Sequence, residues 1–352
     1  MATRRLPSTI RKLVATSRSQ KFRDVVKIVE LPTPVPGEGE ILVRNRYLGI
    51  NASEINLIAG RYDKDVKFPL DCGFEAMGEV VSAGPNSTLT TGQPVMYTQY
   101  GAFSEYKVIP SKMAIPIPDL KPDYLPFLVS GCTAAIALDK VGDIKPGETV
   151  LVTAAAGGTG QIAVQWAKNL GCHVIGTCSS DDKVKFLREL GCDRPINYSK
   201  EDMRKVLAKE YPNGVDIVYE SIGGDMFDIA VNSLAVRGRV VVIGFITGYE
   251  SDLGFTPSKT LATLQPRLLG KSASVRGFFL NHFIRDWAPY VAKQIKLCKE
   301  GKLKGIIDKG ENTALGPFLS LEKVCDAVDY LYSKKSMGKI IVELNGKDQS
   351  KL

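Results

Sequence analysis

The segment TVLVTAAAGGTGQIAVQWAKNL, residues 149–170, joins a short apolar run, a glycine-rich turn and an amphipathic stretch without interruption. The apolar run from Thr149 to Ala154 predicts a buried strand, and Gln161 to Leu170 predicts a helix. Glycine lets the chain turn tightly and lets a phosphate approach the free N–H groups at the start of the helix. The segment therefore predicts a phosphate-binding turn made by Gly157, Gly158, Thr159 and Gly160.

The chain after this turn continues to alternate apolar strands with amphipathic helices. Strands are predicted at 172–177, 194–197, 215–220, 239–244 and 272–275, and helices at 182–190, 201–211 and 226–235. This alternation is typical of an α/β fold with a doubly wound parallel sheet. Ala155 opens the pattern A-x-G-x-x-G, which is a weak signal alone, but its place between a strand and a helix makes a dinucleotide the expected ligand.

The first third of the chain has a different pattern of apolar residues. Residues 25–120 are short apolar runs separated by Pro and Gly, which predicts an irregular β-rich domain. Residues 122–140 are rich in Ala and Leu and predict helices, so the predicted secondary structure changes from strands to helices there. Helices are also predicted at 281–300 and 321–332, and a strand at 339–344 is expected to return to the first domain.

The end of the second predicted strand indicates which dinucleotide is bound. An NAD site usually has an acidic residue there to hold the ribose 2′-hydroxyl. Here the strand ends in Gly176-Thr177-Cys178-Ser179-Ser180, and Asp181 and Asp182 are expected to cap the next helix. Two hydroxyls and the nearby Lys183 suit a 2′-phosphate, which favours NADPH; the alternative is a helix cap with a solvated lysine.

Composition and charge narrow the function classes. The net charge is +8, but Lys and Arg are spread along the chain, which favours an enzyme with anionic ligands over a nucleic-acid-binding protein. No apolar run approaches the length that a membrane span needs, so none is expected. The 7 cysteines form no C-x-x-C pair, which indicates reduced thiols inside the cell.

The two ends of the sequence contain residues that are typical of targeting signals. Ser350-Lys351-Leu352 is a peroxisomal signal, so the peroxisomal import receptor is an expected partner, with the cytoplasm as the alternative location. The Arg-rich N-terminus is similar to a mitochondrial transit peptide. A first strand at Lys12 leaves few residues for such a peptide, so the mitochondrion is the less favoured location.

Several motifs resemble the quinone-reductase and prostaglandin-reductase branch of the medium-chain dehydrogenases/reductases. They are Asn51-Ala-Ser-Glu-Ile-Asn, Gly60-Arg-Tyr, Gly73-Phe-Glu-Ala-Met-Gly-Glu-Val, Ala154 to Gly160 and Gly338-Lys-Ile-Ile-Val. The resemblance runs from about Lys12 to Leu344. It implies a GroES-like domain (1–125 with 304–352), a Rossmann domain (126–303) that binds NADPH, and a homodimer.

The resemblance also implies the cofactor contacts. Lys183 and Tyr198, with Ser179, would hold the 2′-phosphate, and Ser221 would lie beside the adenosine ribose. The nicotinamide would be lined by Ile243 to Tyr249 and by Phe278, Phe279 and Leu280, and Ser336 stands where relatives often have an Asn contact. Zinc-dependent relatives have Cys and His where this chain has Asn51 and Phe74, so no metal is expected.

The activity implied is NADPH-dependent reduction of the conjugated C=C of a lipid enone, with 15-oxoprostaglandin 13-reductase as the specific expectation. The enolate needs a hydrogen-bond donor and a proton, and the candidate donors are Tyr62, Tyr249 and Asn51. One alternative is an NADPH quinone reductase, which shares nearly all of these motifs. The other is a non-catalytic NADPH-binding regulatory protein.

Overall fold

The computed structural model describes residues 6–344, which form two compact units. The first unit contains residues 6–128, Ile307–Lys335 and residues 340–344. The second unit contains Val129–Ile306 and Ser336–Lys339. Elements are numbered in chain order through both units.

The first unit is the β-rich domain that the sequence predicts. Its strands are β1 (Thr9–Ala15), β2 (Val26–Pro32), β3 (Glu40–Gly49), β4 (Leu70–Asp71), β5 (Glu75–Ala83), β6 (Pro94–Thr98), β7 (Tyr106–Pro110), β8 (Ala114–Pro116), β15 (Ile307–Asp308) and β16 (Lys339–Glu343). Its helices are α1 (Phe22–Val25), α2 (Glu54–Ile58) and α10 (Val324–Tyr332), with short 3-10 turns at Ser111–Met113, Pro122–Phe127 and Leu321–Lys323.

These strands form two sheets. The larger sheet has the order β15-β16-β3-β5-β6-β8, with β7 paired to β3, and the smaller has the order β2-β1-β4. Alternate residues of β3, among them Ile41 and Val43, enter a core with Phe103 and Phe318, as the two-residue period of a strand requires. The predicted C-terminal strand is confirmed, because β16 pairs with β3.

The second unit is the doubly wound parallel sheet that the sequence predicts. Its strands are β9 (Thr149–Val152), β10 (His173–Cys178), β11 (Arg194–Asn197), β12 (Val215–Glu220), β13 (Leu234–Val242) and β14 (Ser274–Gly277). Its helices are α3 (Val129–Ile136), α4 (Gly158–Asn169), α5 (Asp181–Glu189), α6 (Met203–Glu210), α7 (Asp225–Asn232), α8 (Leu264–Lys271) and α9 (Ile284–Lys299). A π-helical turn covers Ala137–Val141, and 3-10 turns cover Ile246–Gly248, Lys259–Thr263 and Leu280–Phe283.

The sheet has the strand order β11-β10-β9-β12-β13-β14, and the pairs are parallel. Central strands are covered on both faces, which is why Val150, Leu151 and Val152 are consecutive apolar residues with no exposed surface.

Two elements of this unit differ from their prediction. The helix predicted to reach Ala235 ends at Asn232, because β13 already begins at Leu234 and contains an irregularity with Arg237 at φ +65°. Helix α8 was not predicted, because it contains Pro266 and Gly270 and none of its residues is buried.

The expectation that no apolar segment reaches the length of a membrane span needs correction. Pro122–Val141 is 20 residues long and has a mean hydropathy of 1.3, so it is long and apolar enough to cross a membrane by length and composition. In the structure 78% of its most apolar window is buried, and a helix in a protein core can have the same length and hydropathy.

Candidate functional site

The glycine-rich turn connects β9 to α4 at the carboxyl end of the sheet. The strand ends at Val152 because Ala154 has a left-handed backbone (φ +46°), an uncommon conformation for alanine. Gly157 precedes the helix and offers no side-chain cap, so the first N–H groups of this 12-residue helix remain available to an anion. A Cβ on Gly160 would lie 2.4 Å from the Ala154 carbonyl oxygen, so this glycine permits the close strand–helix approach.

The segment Ser336–Lys339 runs beside this turn in the same unit. The Gly338 N–H donates to the Ala156 carbonyl at 2.8 Å, and Gly338 forms a parallel bridge with Gly157. A Cβ on Gly338, whose φ is +85°, would lie 2.5 Å from the Ile306 carbonyl oxygen. Ser336, predicted as a cofactor contact, is therefore two residues from the backbone that pairs with the turn.

The predicted 2′-phosphate residues lie where β10 and β11 end. The Tyr198 N–H donates to the Cys178 carbonyl at 3.0 Å, and the Ser199 hydroxyl donates to the Ser179 carbonyl at 2.9 Å. Tyr198 is 44% exposed, whereas Lys183 in the first turn of α5 is only 9% exposed. This end of the sheet thus combines hydroxyls with a largely buried cation.

The cap of α5 corrects a sequence prediction. Asp181 and Asp182 were expected to cap the helix, but Ser180 is the N-cap, and its hydroxyl accepts the Lys183 N–H at 3.3 Å. Both aspartates lie in the first turn of the helix instead.

A second group of predicted contacts meets at the ends of β12 and β13. The Ser221 N–H donates to the Thr153 hydroxyl at 2.9 Å, and the two hydroxyl oxygens are 3.2 Å apart. The Ile246 N–H donates to the Ser221 carbonyl at 3.1 Å, which fixes the predicted segment from Ile243 to Tyr249 against Ser221.

Tyr249 is buried within this segment. Its hydroxyl accepts the Phe245 N–H at 3.4 Å, and its ring packs edge-on against the Phe245 ring at 5.3 Å. The Phe278 N–H donates to the Val242 carbonyl at 2.9 Å, so the predicted Phe278–Phe279–Leu280 segment follows β14 beside the end of β13.

Glu220, which the sequence reading did not select, lies at the end of β12. Its side chain is fully buried, and its carboxylate accepts the N–H groups of Ile222 at 2.8 Å and Gly223 at 3.0 Å. Burial raises the pKa of Glu220 to about 7 and outweighs these hydrogen bonds. The sequence feature that could have identified Glu220 is an acidic residue at the end of an apolar strand, shortly before a Gly-Gly pair.

In the first unit, Asn51 is held by the buried Glu75. The Asn51 amide donates to a Glu75 carboxylate oxygen at 2.9 Å and to the Gly49 carbonyl at 3.2 Å. Gly49 is required here, because a Cβ would lie 2.2 Å from Glu75. Since both hydrogens of the Asn51 amide have acceptors, this geometry disfavours the hydrogen-bond donor role that was predicted for Asn51.

Tyr62 belongs to a polar chain centred on the buried Asn56. The Asn56 amide N–H donates to the Tyr62 hydroxyl at 3.4 Å, and its amide oxygen accepts from Arg61 at 2.9 Å. Desolvation raises the pKa of Tyr62, with hydrogen bonds from Asn56 and Ser53 opposing this effect. Tyr62 therefore keeps its proton at neutral pH, as a proton donor must.

Zinc does not fit these residues. Asn51 uses its amide nitrogen as a donor to Glu75, and Phe74 has no ligand atom. Within residues 6–344, His, Cys, Asp and Glu side chains form no group of three or more that suits a metal ion.

Comparison with known proteins identifies the family. Residues 37–119 match the alcohol dehydrogenase GroES-like domain, and residues 158–296 match the zinc-binding dehydrogenase model. The chain is 53% identical to prostaglandin reductase-3 of Bos taurus over 99% of its own length and 93% of that protein. It is 46% identical to a probable quinone oxidoreductase of Leishmania amazonensis over 96% of its length and 99% of that protein.

A solved structure agrees with this result. Escherichia coli quinone oxidoreductase complexed with NADPH superposes with a TM-score of 0.82 at 26% identity, covering 95% of this chain and 99% of that one. The chain therefore belongs to the medium-chain dehydrogenase/reductase superfamily, in the branch that contains the prostaglandin and quinone reductases.

Proposed function

We propose that this protein is an NADPH-dependent reductase of the conjugated C=C of α,β-unsaturated ketones, with 15-oxoprostaglandins as the substrate class. The observation that carries the proposal is the 53% identity to prostaglandin reductase-3 over nearly the whole chain. The replacement of zinc ligands by Asn51 and Phe74 supports it, because enone reduction needs no metal-bound alkoxide.

The residues of the second unit fit NADPH. The N–H groups at the start of α4 suit the pyrophosphate, and the end of β10 offers Lys183, Ser179 and Tyr198 to a 2′-phosphate. Ser221 is expected beside the adenosine ribose, and the segment Ile243 to Tyr249, which is hydrogen-bonded to Ser221, is expected to line the nicotinamide. The bound cofactor supplies the hydride that adds to the β-carbon of the enone.

The chain's own task is to stabilise the enolate oxygen and deliver a proton. Tyr62 and Tyr249 are the candidates, since the amide hydrogens of Asn51 have acceptors. Tyr62 is protonated at neutral pH, as a phenol with its ordinary or a raised pKa is, and the Asn56 amide donates to its hydroxyl. Tyr249 is fixed by the Phe245 N–H instead.

Quinone reduction is the second candidate, favoured by the similarity to the Leishmania amazonensis and Escherichia coli proteins. The test is NADPH consumption with a 15-oxoprostaglandin, beside a simple quinone and a control without acceptor. Turnover of the enone with a product saturated at the former double bond supports the proposal. Turnover of the quinone alone supports quinone reductase, and NADPH binding without turnover supports the non-catalytic alternative.

We further propose a peroxisomal location through the import receptor. The proposal rests on Ser350-Lys351-Leu352, which lie outside the described residues. An N-terminally labelled chain is expected to co-localise with peroxisomes, and the same chain without its last three residues is expected in the cytoplasm. An unchanged distribution after the deletion would contradict the proposal.

A homodimer is the proposed assembly. The parallel sheet ends on β14, and Leu269 of α8 and Val236 of β13 are exposed apolar side chains of the same unit. Light scattering during gel filtration is expected to give twice the mass of the chain, and the mass of a single chain would contradict the proposal.

A further inference from the structure

Asp181, the first carboxylate in the chain after the end of β10, is engaged by two donors. Asp181 accepts a hydrogen bond from the Asn197 amide at 2.8 Å through one oxygen and from Lys200 at 2.5 Å through the other. Asn197 is the last residue of β11 and Lys200 lies in the turn that follows it, so neither donor belongs to the helix that contains Asp181. Both oxygens of the carboxylate are therefore engaged with the end of β11 and the turn after it.

This turn is itself fixed in place. Asn197 is 4% exposed, and its amide oxygen accepts the Ser199 N–H at 3.1 Å. The Ser199 hydroxyl donates to the Ser179 carbonyl at 2.9 Å, which joins the turn to the end of β10. Asn197 consequently presents its amide N–H to Asp181 from a rigid position.

The pairing also decides the local charge. Hydrogen bonds from Lys200 and Asn197 lower the pKa of Asp181, so this side chain is ionised at physiological pH, and Lys200 supplies a counter-charge. Asp182, the next carboxylate, lies 3.8 Å from Lys185. Both carboxylates therefore have a lysine nearby, and the largely buried Lys183 lies in the same first turn of the helix.

A carboxylate at this place has opposite effects on the two nicotinamide cofactors. It accepts a hydrogen bond from the 2′-hydroxyl of NADH, and it repels the 2′-phosphate of NADPH. We propose that Lys200 is a specificity-determining positioning residue: together with Asn197 it holds and neutralises Asp181, so that the site accepts a 2′-phosphate. This inference rests on the proposed use of NADPH.

The test measures the dissociation constants of NADPH and NADH by titration of cofactor fluorescence. The variants are Lys200→Ala, Asp181→Asn and the double variant. The matched control is Lys185→Ala, which removes an equally exposed lysine that pairs with Asp182. Thermal melting checks the fold of each variant, and Lys200→Gln serves as a second replacement.

Lys200→Ala is expected to weaken NADPH binding about threefold to tenfold, a modest effect because the pair is exposed and screened. NADH binding is expected to stay the same or improve, and Lys185→Ala to change neither constant. Asp181→Asn should retain NADPH binding, and the double variant should behave like Asp181→Asn, because Lys200 acts through Asp181.

Two results would overturn the inference. One is a ratio of the NADPH and NADH dissociation constants that is the same in Lys200→Ala and Lys200→Gln as in the wild type. The other is a double variant that loses as much NADPH affinity as Lys200→Ala, because Lys200 would then bind the phosphate directly. A wild-type chain that binds NADPH no more tightly than NADH would instead overturn the proposed cofactor, and the inference with it.

Discussion

Replacing Glu220 by glutamine is expected to change how the stability of the second unit depends on pH. The Glu220 side chain is fully buried at the end of β12, and backbone N–H groups, among them those of Ile222 and Gly223, donate to its carboxylate at 2.8–3.2 Å. Burial raises its pKa from 4.5 to about 7. At about 1.4 kcal/mol per pH unit, this difference corresponds to about 3 kcal/mol.

The direction follows from proton binding. Between about pH 4.5 and pH 7 the folded chain keeps the Glu220 proton, whereas the unfolded chain has already lost it. The folded state therefore binds more protons in this window, and the free energy of unfolding falls as the pH rises. Glutamine carries no charge at any pH, so the Glu220→Gln variant should lack this contribution.

The assay is urea unfolding of both proteins at several pH values between 4.5 and 8, followed by tryptophan fluorescence. The 2 tryptophans of the chain, Trp166 and Trp287, both belong to the second unit, so the signal reports on the unit that contains Glu220. The free energy of unfolding of the wild type relative to Glu220→Gln should fall by about 3 kcal/mol across this range.

The exposed Glu189→Gln change is the control, and its difference from the wild type should not vary in this way. A constant difference between the wild type and Glu220→Gln would refute the reasoning. It would mean that the backbone N–H groups compensate the carboxylate for its burial, so that Glu220 is ionised throughout the window.

Other predictions concern the cofactor, the proton donor and stability. Lys183→Ala should raise the Kd for NADPH about 10- to 100-fold in titrations and leave NADH binding nearly unchanged, because a charge-assisted hydrogen bond is lost. Tyr62→Phe and Tyr249→Phe should differ: the variant that lacks the proton donor should lose about 100-fold in kcat with the enone. Arg239→Met should lower the free energy of unfolding, measured in urea, by about 3–5 kcal/mol, because Glu148 loses its ion-pair partner. The ratio of the dissociation constants of NADPH and NADH should stay unchanged in this variant.

The parts of the fold that sequence could predict are those with a local cause. The strand from Val150 to Val152 is uniformly apolar because both of its faces are buried, and the glycine turn follows it directly. Helix α8 has no buried face, so its sequence carries no periodicity to detect. The start of β13 depends on a backbone irregularity near Arg237, which no hydrophobic pattern encodes.

The site divides in the same way. The positions of Ser179 and Lys183 just after strand β10 were predictable, because the apolar strand pattern ends there, and their contact with a 2′-phosphate stays a prediction. The partner of Asn51 is Glu75, 24 residues away, and the partner of Asp181 is Lys200, 19 residues away. These pairs depend on which strands become neighbours, so the sequence shows the residues but not that Asn51 donates to a carboxylate or that Asp181 is neutralised.

The two ends of the parallel sheet use charge differently. At the amino end, Arg239 donates to both oxygens of Glu148 at 2.6 and 2.7 Å and to the Gly142 carbonyl at 2.6 Å, which ties the strands together. At the carboxyl end, Glu220 accepts from backbone N–H groups next to it in the chain, and Asp181 accepts from Asn197 at the end of β11 and from Lys200 in the turn that follows. The carboxyl end therefore presents N–H groups and Lys183 to a ligand, which suits a cofactor with three phosphates. Holding a ribose hydroxyl with Asp181 would first require releasing this carboxylate from Asn197 and Lys200, so we expect Lys200 to add to the preference for NADPH that Lys183 provides.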